Sequence, residues 1–318
     1  WSNAGTNVAS SYRLKFVGTA TVGSTTITLD DATSDQFNII PASASKLAFK
    51  ALGSLSVESR ADFGTNPVVQ LQDDYGNVIK NDSTTTSVSI VAVDGSNNEI
   101  SGSVSGDFIS GNTASASAGE FTFGDLKLGA PAGTYRLKIS AVTTSLTLTR
   151  ELSATFSLTA GPAAKLAITQ SAATAAAGKA FGTQPQVTVQ DLDGNTVEIA
   201  NSHIEMTSSD AEVFGTTSKD VVNGVTEFTN VGLKGEVGTK SITFTLVEDT
   251  SIKVSQTGLV LAAGDAAKLT VTAQPQTIIA GSTFGTAVKV EVQDAWGNKV
   301  SSNATVSASL VDGVDKTT

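Results

Sequence analysis

The 318-residue sequence predicts an all-β chain of repeated modules. Three observations lead there. Short apolar runs rich in Val, Ile and Thr are broken by Gly. The frame Gln-Asp-x-x-Gly-Asn occurs three times. Each occurrence follows a Phe-Gly-Thr, with the Asp ten residues beyond the Phe. β-branched side chains suit the pleated, half-buried surface of a strand, and Gly followed by Asn supplies the positive φ of tight turns.

The three frames read "LQDDYGNVI" (71–79), "VQDLDGNTV" (189–197) and "VQDAWGNKV" (292–300). Taken alone, the middle frame has the pattern of a calcium loop, because Asp191, Asp193 and Asn195 alternate. Calcium loops need oxygen ligands at alternate positions, and Tyr75 and Trp296 stand where Asp193 does in the other copies. Ligation is therefore not what the copies share. Turn chemistry is: Asp73, Asp191 and Asp294 can accept from amides two residues on, and Gly76, Gly194 and Gly297 can take positive φ. Beside the third copy, Val288, Val290 and Val292 alternate with Lys289, Glu291 and Gln293, as in a strand with one buried face. The frame is a β-hairpin corner.

The remaining elements fall into place around the corners. Each copy opens with Lys-Leu and an alternating strand, "KLAF" at Lys46, "KLAI" at Lys165 and "KLTV" at Lys268, then reaches Phe63, Phe181 or Phe284. Later halves also match: Leu126 and Leu128 of "FGDLKLGAPAGTYRLKI" correspond to Val231 and Leu233 of "FTNVGLKGEVGTKSITF". Near the front, "YRLKF" at Tyr12 nearly repeats "YRLKI" at Tyr135. Residues 1–45 therefore read as closing strands of an incomplete module, 46–163 and 164–266 as complete modules, and 267–318 as opening strands of another. The first complete module is longer by a Gly, Ser and Asn-rich stretch between Val93 and Gly119, expected as an elongated loop or an added hairpin. The joints "TAGPAAKL" and "AAGDAAKL" are short, which implies an extended, fairly stiff array. The two incomplete ends together amount to roughly one module, so either the chain is a segment of a longer array or one copy's tail completes the next copy's head by strand complementation. The first expectation is preferred, because sandwiches seldom start within the fold.

Composition narrows the function classes. A formal net charge of −10 argues against a nucleic-acid surface, which needs clustered Lys and Arg. No run approaches the ~20 apolar residues of a membrane helix. Cysteine is absent and there is one Met, which rules out thiol catalysis and, with abundant Thr and Ser, fits a prokaryotic cell-surface protein.

On the Asp-x-x-Gly-Asn-x-Val corner, the Phe-Gly-Thr strand and a period of roughly a hundred residues, the chain resembles bacterial immunoglobulin-like tandem repeats of cell-surface proteins. It is most similar to repeats of surface-layer proteins and large adhesins, and more distantly to invasin and intimin stalk domains. The resemblance implies an immunoglobulin-like β-sandwich of about seven strands per module and an extracellular, cell-surface location. It implies a structural role in a surface-layer (S-layer) or envelope assembly, or alternatively an adhesin stalk that projects a binding domain lying elsewhere. The implied partners are other copies in a surface array, neighbouring modules of the same chain, and cell-wall or envelope glycan reached through regions outside this segment. Calcium is the one cofactor it raises: Asp191 with Asp193, or Asp30 with Asp31, can contribute oxygens, although a turn cap is the preferred reading of the first pair and a solvated pair that of the second. Tyr75 and Trp296 suggest that some corners pack on a neighbouring module.

Enzymatic readings find little support. His203 is the single histidine and lies in no nucleophile-elbow context. Paired carboxylates could serve glycoside chemistry, but Asp and Glu fall at turns and on outward strand positions, without an insertion to form a cleft. A carbohydrate-binding face would need several aromatics, and the Trp residues are Trp1 and Trp296. Two sequons, Asn81-Asp82-Ser83 and Asn303-Ala304-Thr305, permit glycosylation.

Overall fold

A computed structural model describes residues 8–52, 56–80, 85, 87–100, 108–142 and 148–311. The first sequon lies outside the described residues. The other sequon is exposed. All regular elements among the described residues are strands, and no helix is long and apolar enough to cross a membrane. The chain divides into two compact units: Trp1–Pro162 with Asp191–Asn195, and Ala163–Gln190 with Thr196–Thr318.

The first unit holds a β-sandwich. One sheet has the order Glu120–Thr122, Val68–Gln72, Lys46–Ala51, Thr149–Arg150. The other runs Glu99–Ile100, Ser87–Val93, Gly133–Val142, Phe156–Thr159, Ser56–Glu58. The sandwich's first strand, Lys46–Ala51, lies in the first sheet, and the next, Ser56–Glu58, lies in the second, parallel to Phe156–Thr159. Alternation decides which side chains meet inside: Val69 and Leu71 point inward from one sheet, Val88, Ile90, Leu137 and Ile139 from the other, all at most 1% exposed. Phe63 closes on Phe156 edge to face, with centroids 5.1 Å apart. The Gly, Ser and Asn-rich stretch contributes the hairpin strand Glu99–Ile100, which pairs with Ser87–Val93.

Tyr135 gives the sandwich a further signature. From the start of its strand its hydroxyl donates to the Pro131 carbonyl at 2.7 Å, four residues back, the tie called a tyrosine corner in immunoglobulin-like folds. Tyr12 repeats it, donating to the Val8 carbonyl at 3.2 Å. The pairing repeats too: Tyr12 faces Phe37 as Tyr135 faces Phe156. Residues 8–45 form nested antiparallel ribbons that fold back at Gly23, whose φ of 65° suits the turn. Here, among the described residues, no opposing sheet covers the equivalent apolar residues: Phe16 and Phe37 are 42% and 41% exposed.

The second unit repeats the plan. Lys165–Gln170, Gln186–Gln190 and Val225–Glu227 form one sheet. Ala175–Ala176, Asp249–Ala262, Gly238–Leu246, His203–Thr207 and Ser218–Asp220 form the other, with Ala175–Ala176 again parallel to the last long strand. Val187, Val189 and Phe228 meet Ile204, Ile242, Phe244 and Leu246 in its core. Lys268–Ala273 and Lys289–Gln293 follow as a separate antiparallel ribbon, with Leu269 and Val290 exposed.

Candidate functional site: the repeated aspartate corners

The three corners are superimposable in their hydrogen bonds. In each, the Asp N–H donates to the Asn carbonyl and the Gly N–H returns to the Asp carbonyl, closing the turn. The Gly residues take φ of 86°, 88° and 92°. The Asp Oδ1 accepts two backbone N–H groups from within the turn. At Asp191 these come from Asp193 at 2.9 Å and Asn195 at 2.8 Å; Asp73 and Asp294 do the same. This is the Asx-turn chemistry of the sequence pattern.

The other oxygen points away from the turn. Oδ2 accepts the Asn side-chain amide and one more backbone N–H from about thirty residues earlier: Ala42 for Asp73, Gly161 for Asp191 and Gly264 for Asp294, each at 2.9 Å. The Asn side-chain oxygen, Oδ1, reaches further back and accepts from the N–H of Ala9, Ala132 or Val237 at 2.8, 2.6 and 2.8 Å. Asn195 and Asn298 also donate to the carbonyls of Ala130 and Gly235. The donors are equivalent: Ala42, Gly161 and Gly264 lie five residues beyond Phe37, Phe156 and Leu259, and Ala9, Ala132 and Val237 precede Tyr12, Tyr135 and Lys240 by three. Each corner thus binds two neighbouring points of the strand pair before it. All these bonds fall inside one or other unit, because the corner Asp191–Asn195 belongs to the first.

Burial accompanies the bonding. Asp73, Asp191 and Asp294 are at most 2% exposed. Such burial pushes a carboxyl upward, but the side-chain amide and backbone donors outweigh it and hold all three below the ordinary value.

Sequence comparison missed a fourth corner. Asp94 accepts from Ser96 and Asn98 N–H groups and from the Asn98 amide, while Asn97, with φ 64°, replaces the glycine. The signal was present as Asp-x-x-Asn-Asn, since Asn tolerates this conformation. Its bonds shown are all local, and the corner is exposed.

The middle residues differ. Tyr75 is 61% exposed, so the packing expected of it is not seen in the described residues, whereas Trp296 is partly buried against the core of the second unit. Asp193 is the candidate metal ligand beside Asp191. Its side chain is 1% exposed and is gripped by Arg60, whose Nε lies 3.0 and 2.9 Å from the two carboxylate oxygens and whose Nη2 lies 2.6 Å from Oδ1. The Ser59 hydroxyl also donates to it. A cation at Asp191 or Asp193 would have to displace these donors. Asp31 pairs with Lys15 at 2.6 Å. Among the described residues no group of three or more His, Cys, Asp and Glu side chains could hold a metal ion. The His203 ring lies between Asp220 at 3.1 Å and Glu248 at 3.2 Å, so both nitrogens face carboxylates and not the hydroxyl that a catalytic triad would activate.

Paired sheets, the crossing first strand and the tyrosine corner define a chain of tandem immunoglobulin-like β-sandwich repeats. Among solved structures it is similar to the Escherichia coli adhesin FdeC, at 13% identity over 81% of this chain and 77% of that one, with a TM-score of 0.31. It is also similar to invasin, a bacterial integrin-binding protein, at 15% identity over 80% of this chain and 48% of that one, with a TM-score of 0.30. A third is the titin Z1Z2 pair solved with telethonin, at 14% identity over 70% and 98%, with a TM-score of 0.22. No protein-family model and no curated protein matches the chain.

Proposed function

We propose that the chain is a non-enzymatic structural segment of a prokaryotic cell-surface assembly, a surface layer or related envelope array. Its immunoglobulin-like repeats run 46–163 and 164–266, flanked by the closing strands of one repeat at 1–45 and the opening strands of another at 267–318. The observation that carries this reading is the triplicated corner. The acidic residues that recur along the chain spend their acceptor sites on fastening strands, with nothing left over for chemistry on a substrate. The shared Tyr12–Phe37 and Tyr135–Phe156 pairings support the reading of residues 1–45.

In this reading Asp191 and Asp193 are a turn cap and an anchor for Arg60, calcium is not required for folding, and other copies of the chain are the partners. Imaging of the purified chain at high concentration, and of labelled cell envelopes, tests it with calcium or with a chelator. Ordered arrays at the surface are the expected result. Dispersed single particles under every condition, on a protein found at the cell surface, would favour the adhesin stalk. An intracellular location would overturn both.

A further inference from the structure

The middle residue of each corner meets one particular position of the sequence before it. Arg60, Gly178 and Gly281 lie three residues ahead of Phe63, Phe181 and Phe284, and all have positive φ, at 65°, 73° and 86°. The first two are equivalent in their bonding as well: their N–H groups donate to Leu128 and Leu233, and the preceding Ser59 and Ala177 donate to Thr159 and Ala262. The groups facing them are different. Arg60 grips the carboxylate of Asp193 across Gly129, where an added Cβ would sit 3.0 Å from both side chains. Gly178 lies under the indole of Trp296, and an added Cβ there would come within 2.2 Å of Cη2.

We infer that this pair of positions is a matching code that decides which corner each repeat accepts. A long cation at the socket takes an acidic corner, and a glycine takes an aromatic one. Swapping either half alone fails in a definite way. An indole in place of Asp193 meets the guanidinium stem in a space shaped for a carboxylate, and an aspartate in place of Trp296 leaves the floor at Gly178 and Gly264 uncovered. Gly281, with nothing within 4 Å of its Cβ position, is by the same rule a socket for an aromatic corner. The code concerns pairing within the chain and does not depend on where the protein works.

The test is a double-mutant cycle on the full chain: R60G, D193W and R60G/D193W, read by urea unfolding and by protection of the corner from proteolysis. Glycine adopts the φ at position 60 freely, so R60G folds without backbone strain. The expected result is that the double variant unfolds about tenfold less readily than the two single effects predict, the size of coupling seen for touching residues. A further cycle, W296D with G178R, keeps the question answerable if D193W misfolds, and G178R/W296D should recover protection that W296D loses. Additivity in both cycles would overturn the code, since a corner that merely fills space has no preferred partner.

Discussion

Replacing Asp191 by Ala isolates the role of the corner carboxylate. The wild-type side chain accepts four hydrogen bonds, from the N–H groups of Gly161, Asp193 and Asn195 and from the Asn195 amide, at 2.8–2.9 Å, in a residue 2% exposed. Truncation leaves all four donors without that partner. Each buried donor left unpaired costs ~1–3 kcal/mol, and local relaxation with water entry satisfies those nearest the surface of the turn. With about two donors remaining dry, the loss is about 4 kcal/mol, a large share of the ~5–15 kcal/mol that holds a typical domain.

For a unit of this size the corresponding fall in melting temperature is about 8–16 °C. Calorimetry and urea denaturation on D191A measure it directly. D94A is the internal control, because its corner makes the same local bonds in an exposed position and water replaces the lost acceptor. Equal shifts for D191A and D94A would refute the argument, since the turn alone, and not the bond to Gly161, would then carry the energy.

Acid should weaken the fold through the same groups. The folded carboxyls of Asp73, Asp191 and Asp294 sit below their ordinary value, so their contribution is fully present above about pH 4 and drains away as pH falls through the lowered folded values. Urea midpoints measured from about pH 6 down to about pH 3 should decline, and a flat profile would count against the assignment. Y135F removes the bond to the Pro131 carbonyl at 2.7 Å while keeping the ring beside Phe156, so a loss of about 1 kcal/mol in denaturant unfolding is expected. G178A and G281A both carry the strain of a positive φ, about 1 kcal/mol, but only the first drives a methyl into Trp296. G178A should therefore lose more stability and shift indole emission to the red in a W1F background; equal losses and an unchanged spectrum would refute the contact.

Much of the fold was legible because strand chemistry is local. Val69, Leu71, Val88 and Ile90 alternate with polar neighbours and bury as alternation requires. The corner was legible for the same reason, as Asp, Gly and Asn act within five residues. What stayed hidden acts over long separations. Nothing near Asp191 announces that its Oδ2 will meet Gly161, and nothing near Asp193 announces Arg60. Arg60 was also obscured by its type, since only comparison with Gly178 and Gly281 at the same offset marks it as a positive-φ site. The donors that meet Asp191 and Asp193 lie in that gap: alternating carboxylates give no sign of Gly161, Ser59 or Arg60.

The fourth corner separates what the local turn asks of its aspartate from what the other three add. At Asp94 one oxygen takes two local N–H groups and the other takes the amide of the final Asn. A serine or asparagine could do nearly as much, because each offers an acceptor oxygen to the backbone. Only an ionised carboxylate has about four acceptor sites and no proton to misdirect, so only it can close the turn with one oxygen and still take a remote N–H with the other. The remote bond is the one that differs between Asp94 and the buried corners, and it goes to equivalent residues, Ala42, Gly161 and Gly264, in all three. A turn that only reverses the chain, as at Asp94, closes without that remote bond. Its repeated use at the same place argues that fastening the corner to an earlier strand pair is what the second oxygen adds.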